Sequence, residues 1–205
     1  TLKHTVHLDK VKPERFLLPI SKKKTHVIEI NAGQITTTDL TISLPPTLNF
    51  EPFGGYSKIA AVERHHNTGK IGVAVAKGYG IRNGAVASSV SHDSHNIIVI
   101  GDNDRDMALA VDEIIRTQGG YTVVENGKVY ETLALPIMGL MSDAGFENVN
   151  EALQRMIQKA HQMGVAAQID PFVTLSFLAL PVIPELRITP RGICKMTAKG
   201  PVILS

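Results

Sequence analysis

The sequence predicts a mixed α+β / α/β fold: a sheet of short strands covered by two main helices and preceded by a small β-rich segment. Three observations carry this reading. Four short apolar runs, at 58–65, 71–80, 84–90 and 96–101, have the length and composition of buried strands. Two later stretches, opening at Asn103 and near Asn148, repeat apolar residues at helical spacing. Residues 1–56 are instead rich in β-branched residues and read as extended.

Taken in order, "THVIEI" (25–30) and "QITTTDLTISL" (34–44) predict strands, with a turn at "NAG" (31–33). "LPPTLNFEPFGGYS" (44–57) is dense in Pro and Gly and reads as a linker, dividing a β-rich segment (1–56) from a main domain (57–205). The four strands follow, ending in "NIIVIG". Asn103 then opens a helix, with Asp106 placed to suit the helix dipole. Met107, Ala108, Val111, Ile114 and Ile115 form its apolar face, and Gly119 and Gly120 supply the stop. "YTVVENGKVYETLAL" (121–135) is a hairpin, because Asn-Gly between alternating runs favours a turn with positive φ at both central residues. A second helix covers 148–163, with Asn148 and Glu151 at capping-box spacing and Val149, Ala152, Leu153, Met156 and Ala160 as the buried stripe. Residues 170–189 suit either a helix or a buried strand, and 191–205 read as a strand and a tail. The helices are expected to cover one face of the sheet.

Composition narrows the function. With 205 residues, 43% of them hydrophobic, the chain can bury a substantial core. A formal charge of +2 and the lack of a basic cluster interleaved with aromatics argue against nucleic acid or an anionic membrane as partner. The only basic run, "KKK" at 22–24, reads as a solvated turn. A lone cysteine, Cys194, excludes an internal disulfide and fits a reducing compartment. No stretch reaches the roughly 20 apolar residues of a membrane span, and the N-terminal residues lack the apolar stretch of a signal peptide. A cytoplasmic protein is expected. Thr1 in place of a starting Met suggests a piece of something longer.

Several motifs can be set aside. "GYGIRNG" (78–84) has the wrong glycine spacing for a dinucleotide loop, and no helix pattern follows to receive a pyrophosphate. GxSxG, CxxC and HExxH are absent. "PIMGLMSD" (136–143) places Met138, Met141, Ser142 and Asp143 where they could line a pocket, although the pattern favours ordinary core packing for the methionines. Two histidine pairs remain, His65/His66 in "ERHH" and His92/His95 in "HDSH". They suit three readings. The imidazoles could converge on a metal. Asp93 could orient a histidine for proton transfer. Or the residues could serve only to bond a turn.

Three longer stretches bear on that choice: "VERHHNTGKIGVAVAKGYGIRNGAVASSVSHDSHNIIVIGDNDRDMALAV" (62–111), "LPIMGLMSD" (135–143) and "DPFVTLSFLALPVIPELRITPRG" (170–192). In this order they closely resemble the C-terminal region of the bacterial adenine deaminases, a branch of the amidohydrolase superfamily. The resemblance runs over nearly the whole chain. It implies hydrolysis of adenine to hypoxanthine and ammonia, a purine-salvage reaction, by a metal-bound hydroxide held in a (β/α)₈ barrel. The metal is manganese or iron, with an HxH pair among its ligands. This chain has no HxH and is too short at its start to hold that barrel. No metal or other cofactor is therefore expected in the chain itself. On this resemblance "SHDSHN" is expected to pack against the barrel mouth, with His92, Asp93 and His95 as catalytic candidates and Ser94 and Asn96 as substrate-binding ones. Partners would be adenine, the barrel and further copies of the chain. Alone, the chain should be inactive and self-associating. Two rivals stand beside this: an autonomous metal-dependent hydrolase using His65, His66, His92 and His95, and a non-catalytic oligomerisation domain.

Overall fold

Eight strands pair edge to edge in a computed structural model that describes residues 2–21 and 24–204. Of the basic run expected to be a solvated turn, Lys22 and Lys23 lie outside the described residues, and Lys24 is exposed. The strands are β1 (Thr25–Ile30), β2 (Thr37–Ile42), β3 (Tyr56–Val62), β4 (Ile71–Lys77), β5 (Gly84–Ser88), β6 (Ile97–Gly101), β7 (Gly120–Glu125) and β8 (Lys128–Ala134). Their spatial order is β2-β1-β4-β3-β6-β5-β7-β8. All neighbours are antiparallel except β1 and β4, which run parallel with Val27 beside Val75. The β-rich N-terminal part thus extends the same sheet as the strands after residue 57. The Pro/Gly-rich stretch between them places Leu44 and Phe50 against Val27 and Val75.

The central strands are apolar on both faces, and this decides where the helices go. Ile59 and Ala61 of β3, Val86 of β5 and Ile98 and Ile100 of β6 face one core, while Ala60, Val62, Ala85, Ala87, Ile97 and Val99 face the other. Side chains alternate sides along a strand, so an unbroken apolar run needs cover on both. Helix α1 (Asp104–Thr117) covers one face through Met107, Val111 and Ile114. Helices α2 (Phe146–Gln162) and α3 (Pro171–Leu178) cover the other through Met156, Ala160, Phe172 and Leu175. The expectation of helices on a single face is corrected here. The mixed α and β class is as expected.

Local chemistry explains most boundaries. Asn103 caps α1, its side chain accepting from Asp106 N at 2.8 Å. After α1, Gly119 has φ +120°, and a Cβ there would stand 2.3 Å from Gly139 Cα, so only glycine fits. Asn126 and Gly127, both at positive φ, turn β7 into β8. Helix α2 begins two residues before its expected start. Asn148 therefore lies inside the helix, where its side chain donates to Ala144 O at 2.8 Å, and the expected capping box does not form.

The ambiguous apolar stretch is both things in turn. Asp170 caps α3 by accepting from Phe172 N and Val173 N at 2.9 and 2.8 Å, and β9 (Leu186–Thr189) follows. The expected terminal strand and tail are instead a hairpin, β10 (Gly192–Thr197) and β11 (Gly200–Ile203), which forms a small sheet with β9. No described helix is long and apolar enough to cross a membrane.

Candidate functional site

The loop joining β5 to β6, residues 89–96, spends its backbone locally. Ser89 ties it to two neighbours, its hydroxyl donating to Gly139 O at 2.6 Å and accepting from Gly120 N at 2.8 Å. Ser91 closes the turn: its hydroxyl donates to Asn96 O at 2.5 Å, and its carbonyl accepts from His95 N at 2.7 Å. His92 N donates to Ser176 O of α3 at 3.0 Å. Asn96 is buried, donating through Nδ2 to Ser94 Oγ at 3.2 Å and accepting from Arg64 N at 3.3 Å.

What the turn leaves over is in its side chains. Asp93 is 86% exposed, with Oδ1 3.7 Å from His92 Nδ1. The half-buried His92 ring lies 5.1 Å from the Phe177 ring and 6.0 Å from that of His95. His95 Nδ1 is buried with no hydrogen-bond partner among the described residues. Burial pushes the His95 pKa down, and the neighbouring His92, Arg64 and His65 add to this against the pull of Asp93. These influences favour the uncharged form of the His95 ring.

The β3–β4 connection supplies the facing wall. Glu63 accepts from the backbone N–H groups of His65, His66 and Thr68 at 2.6, 2.9 and 3.1 Å, and from the Thr68 hydroxyl at 2.9 Å. Burial alone would raise its pKa; these bonds outweigh burial and hold it at about 2. The loop so fixed presents His65, whose Nε2 donates to Ser94 O at 2.7 Å and joins the two loops. His66 is exposed, its ring 6.3 Å from that of His65.

Between these loops lies Arg64, 1% exposed. Its guanidinium donates to His95 O, to Thr5 O at 2.9 Å and to Met138 O at 3.0 Å. No carboxylate among the described residues pairs with it, and burial lowers its pKa. Sequence reasoning weighed "ERHH" for its histidines and missed this residue. A basic side chain closing the apolar run of β3 was the available signal. Lys58, buried at the other end of the same strand against Asp104 at 2.5 Å, carries the same one.

The structure thus brings together His65, His92, Asp93, Ser94, His95 and Asn96, with His66 at the margin. Among the described residues no three of His, Cys, Asp or Glu are grouped to hold a metal ion. The histidine set does not fit a manganese or iron centre. Met138 and Met141 are not core residues as their pattern suggested, being 43% and 52% exposed. Met141 and Ser142 line an open cleft of about 420 Å³ with Tyr121, Leu133, Phe146 and Leu153. Asp143 pairs with Lys3 at 2.5 Å.

The molecule is a layered α and β domain with a histidine-bearing loop at one end of its sheet. Residues 34–199 match the family described as the adenine deaminase C-terminal domain, and the chain belongs to that family. It is 48% identical over 193 residues to the adenine deaminase of Desulfitobacterium hafniense, covering 94% of this chain and 34% of that protein. To the adenine deaminase of Bacillus subtilis it is 42% identical over 181 residues, covering 87% and 31%. To adenine deaminase 2 of Carboxydothermus hydrogenoformans it is 39% identical over 213 residues, covering 100% and 36%. The chain spans about a third of the length of these curated relatives.

Proposed function

We propose that this chain is the C-terminal part of an adenine deaminase and that loop 92–96 completes an active site whose metal belongs to the remainder of the protein. One observation carries the reading: the loop's backbone bonds are made within the domain, yet His92, Asp93 and the Nδ1 of His95 are left without strong partners. A buried polar atom without a partner, as His95 Nδ1 is, costs free energy, and a ligand or a second domain can supply that partner. His92 and Asp93 would carry or orient a proton at the purine. His95, through its unpartnered Nδ1, would exchange a hydrogen bond with it. Ser94, exposed and held by Asn96, would meet its polar edge.

Leu2, Met138, Met141 and Phe146 are exposed apolar residues on one connected stretch of surface, Met138 N donating to Leu2 O at 2.7 Å and Met141 and Phe146 sharing a cleft. On this reading they pack against the barrel, and the isolated chain self-associates through them. The scaffold alternative rests on the same surface but gives no use to the histidines. Deamination by the complete polypeptide with His92→Ala tests the proposal. A loss of about 10²-fold or more in kcat/KM for adenine is expected, and the isolated chain should release no ammonia from adenine. Unchanged turnover in both His92→Ala and Asp93→Asn would remove the loop from the mechanism.

A further inference from the structure

Two residues beside the proposed site have backbones that side chains seldom adopt: His95 at φ 49° and Met138 at φ 60°. The carbonyls of both accept from one group, the guanidinium of Arg64. The third carbonyl on that guanidinium belongs to Thr5, whose hydroxyl also lies 3.2 Å from it. Three segments far apart in sequence are therefore held by a single buried cation. Its neighbourhood is built around it: Gly139 has no side chain, and a Cβ there would stand 2.8 Å from Arg64 Nη1. A planar fork with five donors can serve three carbonyls at once, which a lysine ammonium on the same stem cannot. Burying a cation with no carboxylate partner is costly, and packing alone gives no reason to keep it.

We propose that Arg64 is a positioning residue for the deaminase reaction: it holds His95 and Met138 in their left-handed conformations, so that the histidine loop and the 136–141 turn face the rest of the protein as one body. This rests on the active-site role proposed for loop 92–96, and Arg64 itself touches no substrate. A misplacement on the order of 1 Å in such a loop can cost about 10²-fold in rate.

The test uses the complete polypeptide with Arg64→Ala and Arg64→Lys, the second guarding against a variant that fails to fold. Hydrogen exchange of the amides at 91–96, kcat for adenine and the effect of added methylguanidine are read on each. Expected are faster exchange at 91–96, a fall in kcat of about 10- to 100-fold, and recovery of both in Arg64→Ala when methylguanidine fills the vacated space. Arg64→Lys should keep the fold without restoring kcat. Unchanged exchange, or a kcat that survives while exchange rises, would overturn the proposal. Asp93→Asn run in parallel separates the two claims: if it lowers turnover and Arg64→Ala does not, only the role of Arg64 fails. If neither does, the reading of the loop fails.

Discussion

Strand β6 has a polar segment at each end, and the two behave differently. After it comes "DNDRD" (102–106); before it comes "SHDSH" (91–95). In the first, every acidic or amide side chain is spent inside the fold. Asp102 accepts from Asn83 N and Gly84 N at 2.5 and 2.9 Å, Asn103 caps α1, Asp104 pairs with Lys58, and Asp106 accepts from Gly127 N at 2.9 Å. In the second, the serines close the turn, while among the described residues the polar side-chain atoms of His92 and Asp93 meet only each other, at 3.7 Å, and His95 Nδ1 has no hydrogen-bond partner. Equal polarity in sequence thus hides two roles. One end anchors a helix and a hairpin. The other leaves His92 and Asp93 side chains at the surface.

Substitutions can break this contrast, and the largest effect belongs to the anchoring end. Asp104→Ala leaves Lys58 buried without its carboxylate and should cost about 3–5 kcal/mol of stability in a denaturant titration. A cost below about 1 kcal/mol, the range of a surface pair, would mean that this end is not the structural one.

Glu63, which shapes the wall opposite the histidine loop, comes next. Glu63→Gln should cost about 1.5–3 kcal/mol near pH 7, where three backbone amides and a hydroxyl lose a charged acceptor. The pH dependence follows from the sign of the shift. The folded pKa of about 2 lies below the ordinary 4.5, so this stabilisation is fully present above about pH 4.5 and disappears as pH falls toward 2. The gap between parent and variant should narrow over that window, and a gap constant from pH 7 to pH 2 would contradict it. Asn103→Ala is the mildest of the three, about 1 kcal/mol for a lost helix cap, with turnover of the complete polypeptide unaffected.

The fold was largely legible from the sequence where the signal was local. The Asn103 cap, the Asn126–Gly127 hairpin and the stripe of Ala152, Met156 and Ala160 follow from short-range spacing. Long-range facts were less so. That β1 runs parallel to β4 depends on pairing across more than forty residues, which no local pattern encodes. Helices on both faces were foreshadowed by the unbroken apolar runs of β5 and β6. At the site, the histidine pairs were visible, and the contact between His65 and Ser94 shows that the two loops bearing them meet. Arg64 was hidden because its meaning lies in three carbonyls at positions 5, 95 and 138.

The contrast between the two ends comes to a point at Asp93. Its side chain is 86% exposed, with Oδ1 3.7 Å from His92 Nδ1, so Asp93→Asn should leave the unfolding free energy within about 0.5 kcal/mol of the parent. The decisive measurement is kcat/KM for adenine in the complete polypeptide carrying this substitution, with its denaturation midpoint read alongside. A loss of tenfold or more (about 1.4 kcal/mol of transition-state stabilisation) at an unchanged midpoint is the result the account predicts. An unchanged kcat/KM at that same midpoint would contradict it.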